Sequence, residues 1–76
     1  MDSCKDRLRE AREDRGLTQS EIAEQLGITQ QVYSRYETGN YEIPVRHLIA
    51  LCDFYQVSAD YLLGRAPFDK RNFNRQ

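Results

Sequence analysis

Thr18 to Gly39 reads TQSEIAEQLGITQQVYSRYETG, two short helices joined by a tight turn. The first opens at Thr18, whose hydroxyl is placed to accept from a free backbone N–H of the first turn. Glu21, three residues later, completes a T-x-x-E capping box. Ile22, Ala23 and Leu26 then recur at helical spacing on one face. Gly27 can take the left-handed conformation that ends a helix, and Ile28 turns back into the core. Thr29 can cap a second helix, Gln30 to Thr38, which stops at Gly39. Two helices that share a wall and diverge at such a turn make a helix-turn-helix.

The second helix is the more informative. Tyr33, Tyr36 and Glu37 fall on the side that meets the rest of the domain, and Gln30, Gln31, Ser34, Arg35 and Thr38 on the other. Gln31, Arg35 and Thr38 follow i, i+4, i+7 and form one ridge. A polar face alone does not separate a solvated surface from a binding surface; the residue types do more. Glutamine can make two hydrogen bonds to adenine and arginine two to guanine. Two glutamines at the helix N-terminus also stand where a recognition helix first meets bases. Gln30, Gln31, Ser34 and Arg35 are therefore candidate base contacts, with Val32 placed to pack on a thymine methyl.

The pattern R-x-x-x-G-L-T-Q-x-E-I-A-x-x-L-G-I-T-Q-Q-x-Y-S-R-Y-E-x-G, Arg12 to Gly39, resembles the phage repressor and Cro-type helix-turn-helix family, also called XRE-like. The resemblance continues through Pro44 and V-S-x-D-Y-L-L-G, Val57 to Gly64, and so extends over most of the chain. It implies an all-α fold, a compact bundle of five short helices with a central helix-turn-helix, as in lambda repressor-like DNA-binding domains. It also implies double-stranded DNA as partner and a homodimer on a palindromic operator. In the family an arginine and a glutamate at the positions of Arg12 and Glu37 form a partly buried ion pair, which gives both a structural role. Gln19 matches a family position that touches the DNA backbone or reaches toward the base met by Gln30. Thr29, Thr38 and Asn40 are further phosphate candidates through hydroxyl, amide or main chain.

Outward from this stretch, a first helix is expected from Ser3, as N-cap, to about Arg15. Cys4, Leu8 and Ala11 make a thin apolar stripe, and Lys5, Arg7, Arg9, Glu10, Glu13 and Asp14 a solvated mixed-charge face. Downstream, Pro44 suits the first position of a fourth helix. Val45, Leu48, Leu51, Cys52 and Tyr55 are expected to face the core, and Arg46, His47, Asp53 and Gln56 the solvent. Ser58 caps a short fifth helix, Ala59 to Leu63. Tyr61, Leu62 and Leu63 load it with apolar groups: either part of that surface forms a homodimer interface, as the family uses this region, or all three close a small core.

Seventy-six residues allow one domain with a small core, 1–64, followed by a basic tail, 65–76. No apolar run approaches the roughly 20 residues of a membrane span, and no signal-peptide pattern opens the chain. The expectation is a soluble, cytoplasmic protein without a membrane partner. Cys4, Cys52 and the lone His47 fall short of the about four ligands of a structural zinc site. Both cysteines are read as reduced, and no metal, cofactor or small-molecule ligand is expected. Without a nucleophile elbow or a phosphate-cradling glycine loop, no catalytic residue stands out, and an enzyme is not expected.

The charge runs against the DNA reading. Residues 1–64 carry seven basic and eleven acidic side chains, a net of −4, and residues 65–76 a net of +3. The loop Asn40 to Ile43 carries no cation. DNA-binding domains tend to be basic because phosphate contacts dominate affinity, although helix N-terminal N–H groups hold phosphates without side-chain charge. The function expected is a sequence-specific, dimeric transcriptional regulator, foremost a repressor. The alternative is an antitoxin-like or anti-activator protein-interaction module with weak DNA binding.

Overall fold

The computed structural model describes residues 4–64, which form five helices and, among the described residues, no strand. In chain order α1 is Cys4–Asp14, α2 Gln19–Leu26, α3 Gln30–Thr38, α4 Val45–Tyr55 and α5 Ala59–Leu62. The anticipated Ser3 cap and the basic tail, 65–76, lie outside the described residues. None of the described helices is long and apolar enough to cross a membrane.

Local chemistry sets the α2–α3 unit. The Thr18 hydroxyl accepts from Glu21 N at 3.1 Å, and the Glu21 carboxylate accepts from Thr18 N at 2.8 Å, closing the capping box in both directions. At the other end Gly27 adopts φ +72°. Its N–H and that of Ile28 donate to the last carbonyls of α2, at Glu24 and Ala23, and the chain reverses within three residues. Thr29 then caps α3 by accepting from Val32 N at 3.2 Å.

The core draws on every helix. Leu8 and Ala11 of α1, Ile22 and Ala23 of α2, Tyr33 and Tyr36 of α3, Leu48, Leu51 and Tyr55 of α4, and Tyr61 and Leu62 of α5 are all buried, with Val57 between the last two helices. The helix α3 packs on α2 and α1, while α5 packs on α1 and α4. Each fully buried leucine or isoleucine contributes roughly 1.5–3 kcal/mol relative to exposure.

Several expectations need correction. Pro44 is not the first residue of α4 but its N-cap, with its carbonyl accepting from His47 N and Leu48 N. Val45 was expected to face the core and is 69% exposed, whereas His47, expected at the surface, is buried. Helix phase does not separate the two: at 100° per residue His47 sits about 75° to one side of the centre of the Leu48–Leu51–Tyr55 stripe and Val45 about 85° to the other, and His47 is the one that packs against Tyr36. Arg7 is buried as well, not solvated, because its guanidinium stacks over the Tyr61 ring at 4.6 Å. The fifth helix ends at Leu62, one residue early, with Leu63 as its C-cap. Tyr61 and Leu62 are interior residues of the monomer, and of the three anticipated interface residues only Leu63, 40% exposed, offers surface to a second copy.

Candidate nucleic-acid interface

The interface is built outward from Glu37, which is buried in the last turn of α3. Its carboxylate accepts four hydrogen bonds from three side chains. Arg12 of α1 reaches it with Nε at 2.7 Å and Nη2 at 3.0 Å, Tyr33 with its hydroxyl at 2.6 Å, and Gln19 of α2 with Nε2 at 3.0 Å. Burial pushes the Glu37 carboxyl up, but the hydrogen bonds from Arg12, Tyr33 and Gln19 outweigh it and hold the group below its usual range. Arg12 also donates through Nη1 to the Leu17 carbonyl at 2.8 Å, which ties α1 to the entry of α2. The pair therefore locks three helices at the point where α3 is held.

The network continues to the surface. Gln19 turns its Oε1 to Gln30, which donates Nε2 at 2.7 Å. The direction follows from the start of the chain. A carboxylate can only accept, so Gln19 gives it the amide N–H₂ and shows Gln30 its oxygen. Gln30 must then donate, which leaves its own oxygen and one N–H for a ligand.

The remaining candidates occupy one side of α3. Gln31, Arg35, Thr38 and Asn40 are exposed, Gln30, Ser34 and Gln19 are half-buried, and Thr29 is exposed at the N-cap. Val32 is half-buried and packs against the core, so only part of it is open to a thymine methyl. Thr38 departs from the picture of a phosphate donor: its hydroxyl donates to the Arg35 carbonyl at 3.2 Å, and its one proton is engaged inside the helix. Thr29 uses its oxygen to cap Val32 N and keeps its proton.

One contact was missed. The loop after α3, read for cations and found empty, supplies Tyr41, whose hydroxyl accepts from Arg35 Nη1 at 2.9 Å. An aromatic six residues beyond an arginine carries no local signature; only the path of the loop brings the two together.

Comparison with known proteins bears on the family and the fold. A helix-turn-helix family model matches residues 8–62. The HTH-type transcriptional regulator ImmR of Bacillus subtilis is 42% identical over 66 residues, covering 87% of this chain and 52% of that protein. The SPbeta prophage-derived uncharacterized HTH-type transcriptional regulator YonR, also of Bacillus subtilis, is 40% identical over 84% of this chain and 61% of its own length. The cryptic phage CTXphi transcriptional repressor RstR of Vibrio cholerae is 32% identical over 87% of this chain and 59% of its own length. The chain thus spans between half and two thirds of the length of these relatives. Among solved structures, a transcriptional regulator from Listeria innocua superposes with a TM-score of 0.79 at 22% identity, over 93% of this chain and 66% of that one, a likeness of fold. The chain belongs to the XRE-like helix-turn-helix family of transcriptional regulators.

Proposed function

We propose that the protein is a sequence-specific transcriptional repressor that binds a palindromic operator as a homodimer, with α3 entering the major groove N-terminus first. The observation that carries this reading is the polarised chain Glu37–Gln19–Gln30, which leaves one acceptor and one donor on the Gln30 amide. That pair matches the N6–H and N7 of adenine. Gln31 and Arg35 stand clear of the core on the same helix, Gln31 for a second base and Arg35 for a guanine, with Ser34 and the open part of Val32 between them. Phosphates are held by Gln19, by the Thr29 hydroxyl, by Asn40 and by the first N–H groups of α2 and α3. Thr38 joins them only by releasing the Arg35 carbonyl.

The dimer face in this reading is the outer stripe of α4 with Leu63. Val45 and Ile49, one helical turn apart, are 69% and 55% exposed, and Val45 and Leu63 line the same apolar groove of about 550 Å³. In this reading the second copy lies beside Leu63 and against α4 instead of on Tyr61 and Leu62.

The test is the Gln31→Ala variant, measured on its preferred site and on random duplex. The expected result is a loss of about 1–3 kcal/mol on the preferred site and little on random DNA. Equal losses on both would reduce Gln31 to a backbone contact and remove base readout from this part of α3.

A further inference from the structure

Tyr41 lies outside the helix-turn-helix motif, yet two bonds tie it to one residue of α3. Its backbone N–H donates to the Arg35 carbonyl at 3.1 Å, and its hydroxyl accepts from Arg35 Nη1 at 2.9 Å. The guanidinium carbon also stands 5.1 Å from the ring centroid, within reach of cation–π attraction. Gly39 makes this return possible. Its φ of +85° folds the chain back along the helix, a conformation that strains any residue with a side chain, and a Cβ there would also crowd the Lys5 side chain at 3.0 Å.

We propose that Tyr41 is a positioning residue for base recognition: it holds the Arg35 guanidinium in the orientation that meets a guanine, and so sets specificity at that base pair. The inference rests on Arg35 reading a base. An arginine has five N–H donors and long, mobile torsions. One donor goes to Tyr41, which leaves the Nε–Nη2 edge for the O6 and N7 of guanine. Fixing the side chain before DNA arrives removes part of the ordering penalty of binding. It also narrows the acceptors the guanidinium can reach, so the gain falls on one base. Tyr41 is 49% exposed and no part of the core, so this contact is not required for folding.

The experiment measures binding of the full chain to its selected site and to versions substituted at the Arg35 base pair. The proteins are wild type, Tyr41→Phe, Arg35→Ala and the double variant, each checked for unchanged thermal unfolding. Tyr41→Phe keeps the ring and removes the hydroxyl. The expected result is a loss of about 3- to 10-fold for Tyr41→Phe, the scale of one freed side chain. That loss should be confined to the preferred base pair and absent when Arg35 is already alanine. A loss that is uniform across sequences and persists without Arg35 would make Tyr41 a phosphate contact and overturn the inference. Tighter binding by Tyr41→Phe would overturn it as well, since the hydroxyl would then hold Arg35 away from DNA. A flat Tyr41→Phe beside a base-specific Arg35→Ala removes the positioning role and leaves the base reading intact. An Arg35→Ala without base-specific loss removes both.

Discussion

Glu37 is a buried anion that stays charged because Arg12, Tyr33 and Gln19 donate four hydrogen bonds to it. Removing either member of the ion pair leaves the other uncompensated inside the protein. Arg12→Ala and Glu37→Ala should therefore each lower unfolding free energy by about 3 kcal/mol or more, measured by urea denaturation. Arg35, with its charge at the surface, should lose no more than about 0.5 kcal/mol of stability as alanine. The contrast separates an arginine that builds the fold from one free to bind. In the sequence the two are indistinguishable by composition. The family resemblance set Arg12 apart from the charged residues around it. What neither spacing nor resemblance conveyed is that the carboxylate dictates, through Gln19, which end of the Gln30 amide faces outward.

At the scale of the helix, local chemistry was legible and side-chain partition was less so. The caps at Thr18 and Thr29 and the reversal at Gly27 depend on neighbours within a few residues, so their positions follow from the chain itself. His47 and Arg7 were assigned outward by chemical character, and both stand at the edge of their helix's apolar stripe, where phase alone does not decide. Tertiary partners decide the matter: Tyr61 for Arg7, and Tyr36, whose hydroxyl lies 3.2 Å from His47 Nδ1. For His47 the packing of α4 on α3 has a consequence in pH. Burial, reinforced by the nearby Arg46 charge, lowers its pKa below the ordinary 6.5. The unfolded chain then takes up the proton more readily than the folded one. This contribution is complete above about pH 6.5 and is lost as pH falls below it. The urea midpoint should drop between pH 7.5 and 5.5, and His47→Asn should flatten that slope whatever its own stability. Glu37 has its pKa lowered too, and its contribution is present above about pH 4.5 and lost only below it.

For the molecule as a whole, the five-helix arrangement was implied by the family resemblance and supported by apolar residues at helical spacing, although α4 ends at Gln56, φ +61°, with no glycine to mark its stop. The role of the fifth helix was not readable, since three apolar residues in a row fit either a core or an interface. Contact with α1 and α4 buries Tyr61 and Leu62 and leaves Leu63 beside Val45. If α4 carries the dimer, Val45→Asp with Ile49→Asp should give a folded monomer in sedimentation equilibrium and weaken binding to a two-half-site duplex more than to a single half-site. The net charge of −4 over residues 1–64 keeps a protein-binding role as the rival to DNA. Salt separates them, because counterion release makes DNA affinity fall log-linearly with salt, while an apolar protein interface barely responds.

The most direct test of groove reading by α3 is selection of a random duplex library by the purified protein at two salt concentrations, with Arg35→Ala beside it. Groove reading by α3 predicts a palindrome with half-sites about one helical turn apart, weaker enrichment at the higher salt, and relaxed preference at one base pair per half-site in the variant. No enrichment even at low salt, or an identical motif from Arg35→Ala, would contradict it.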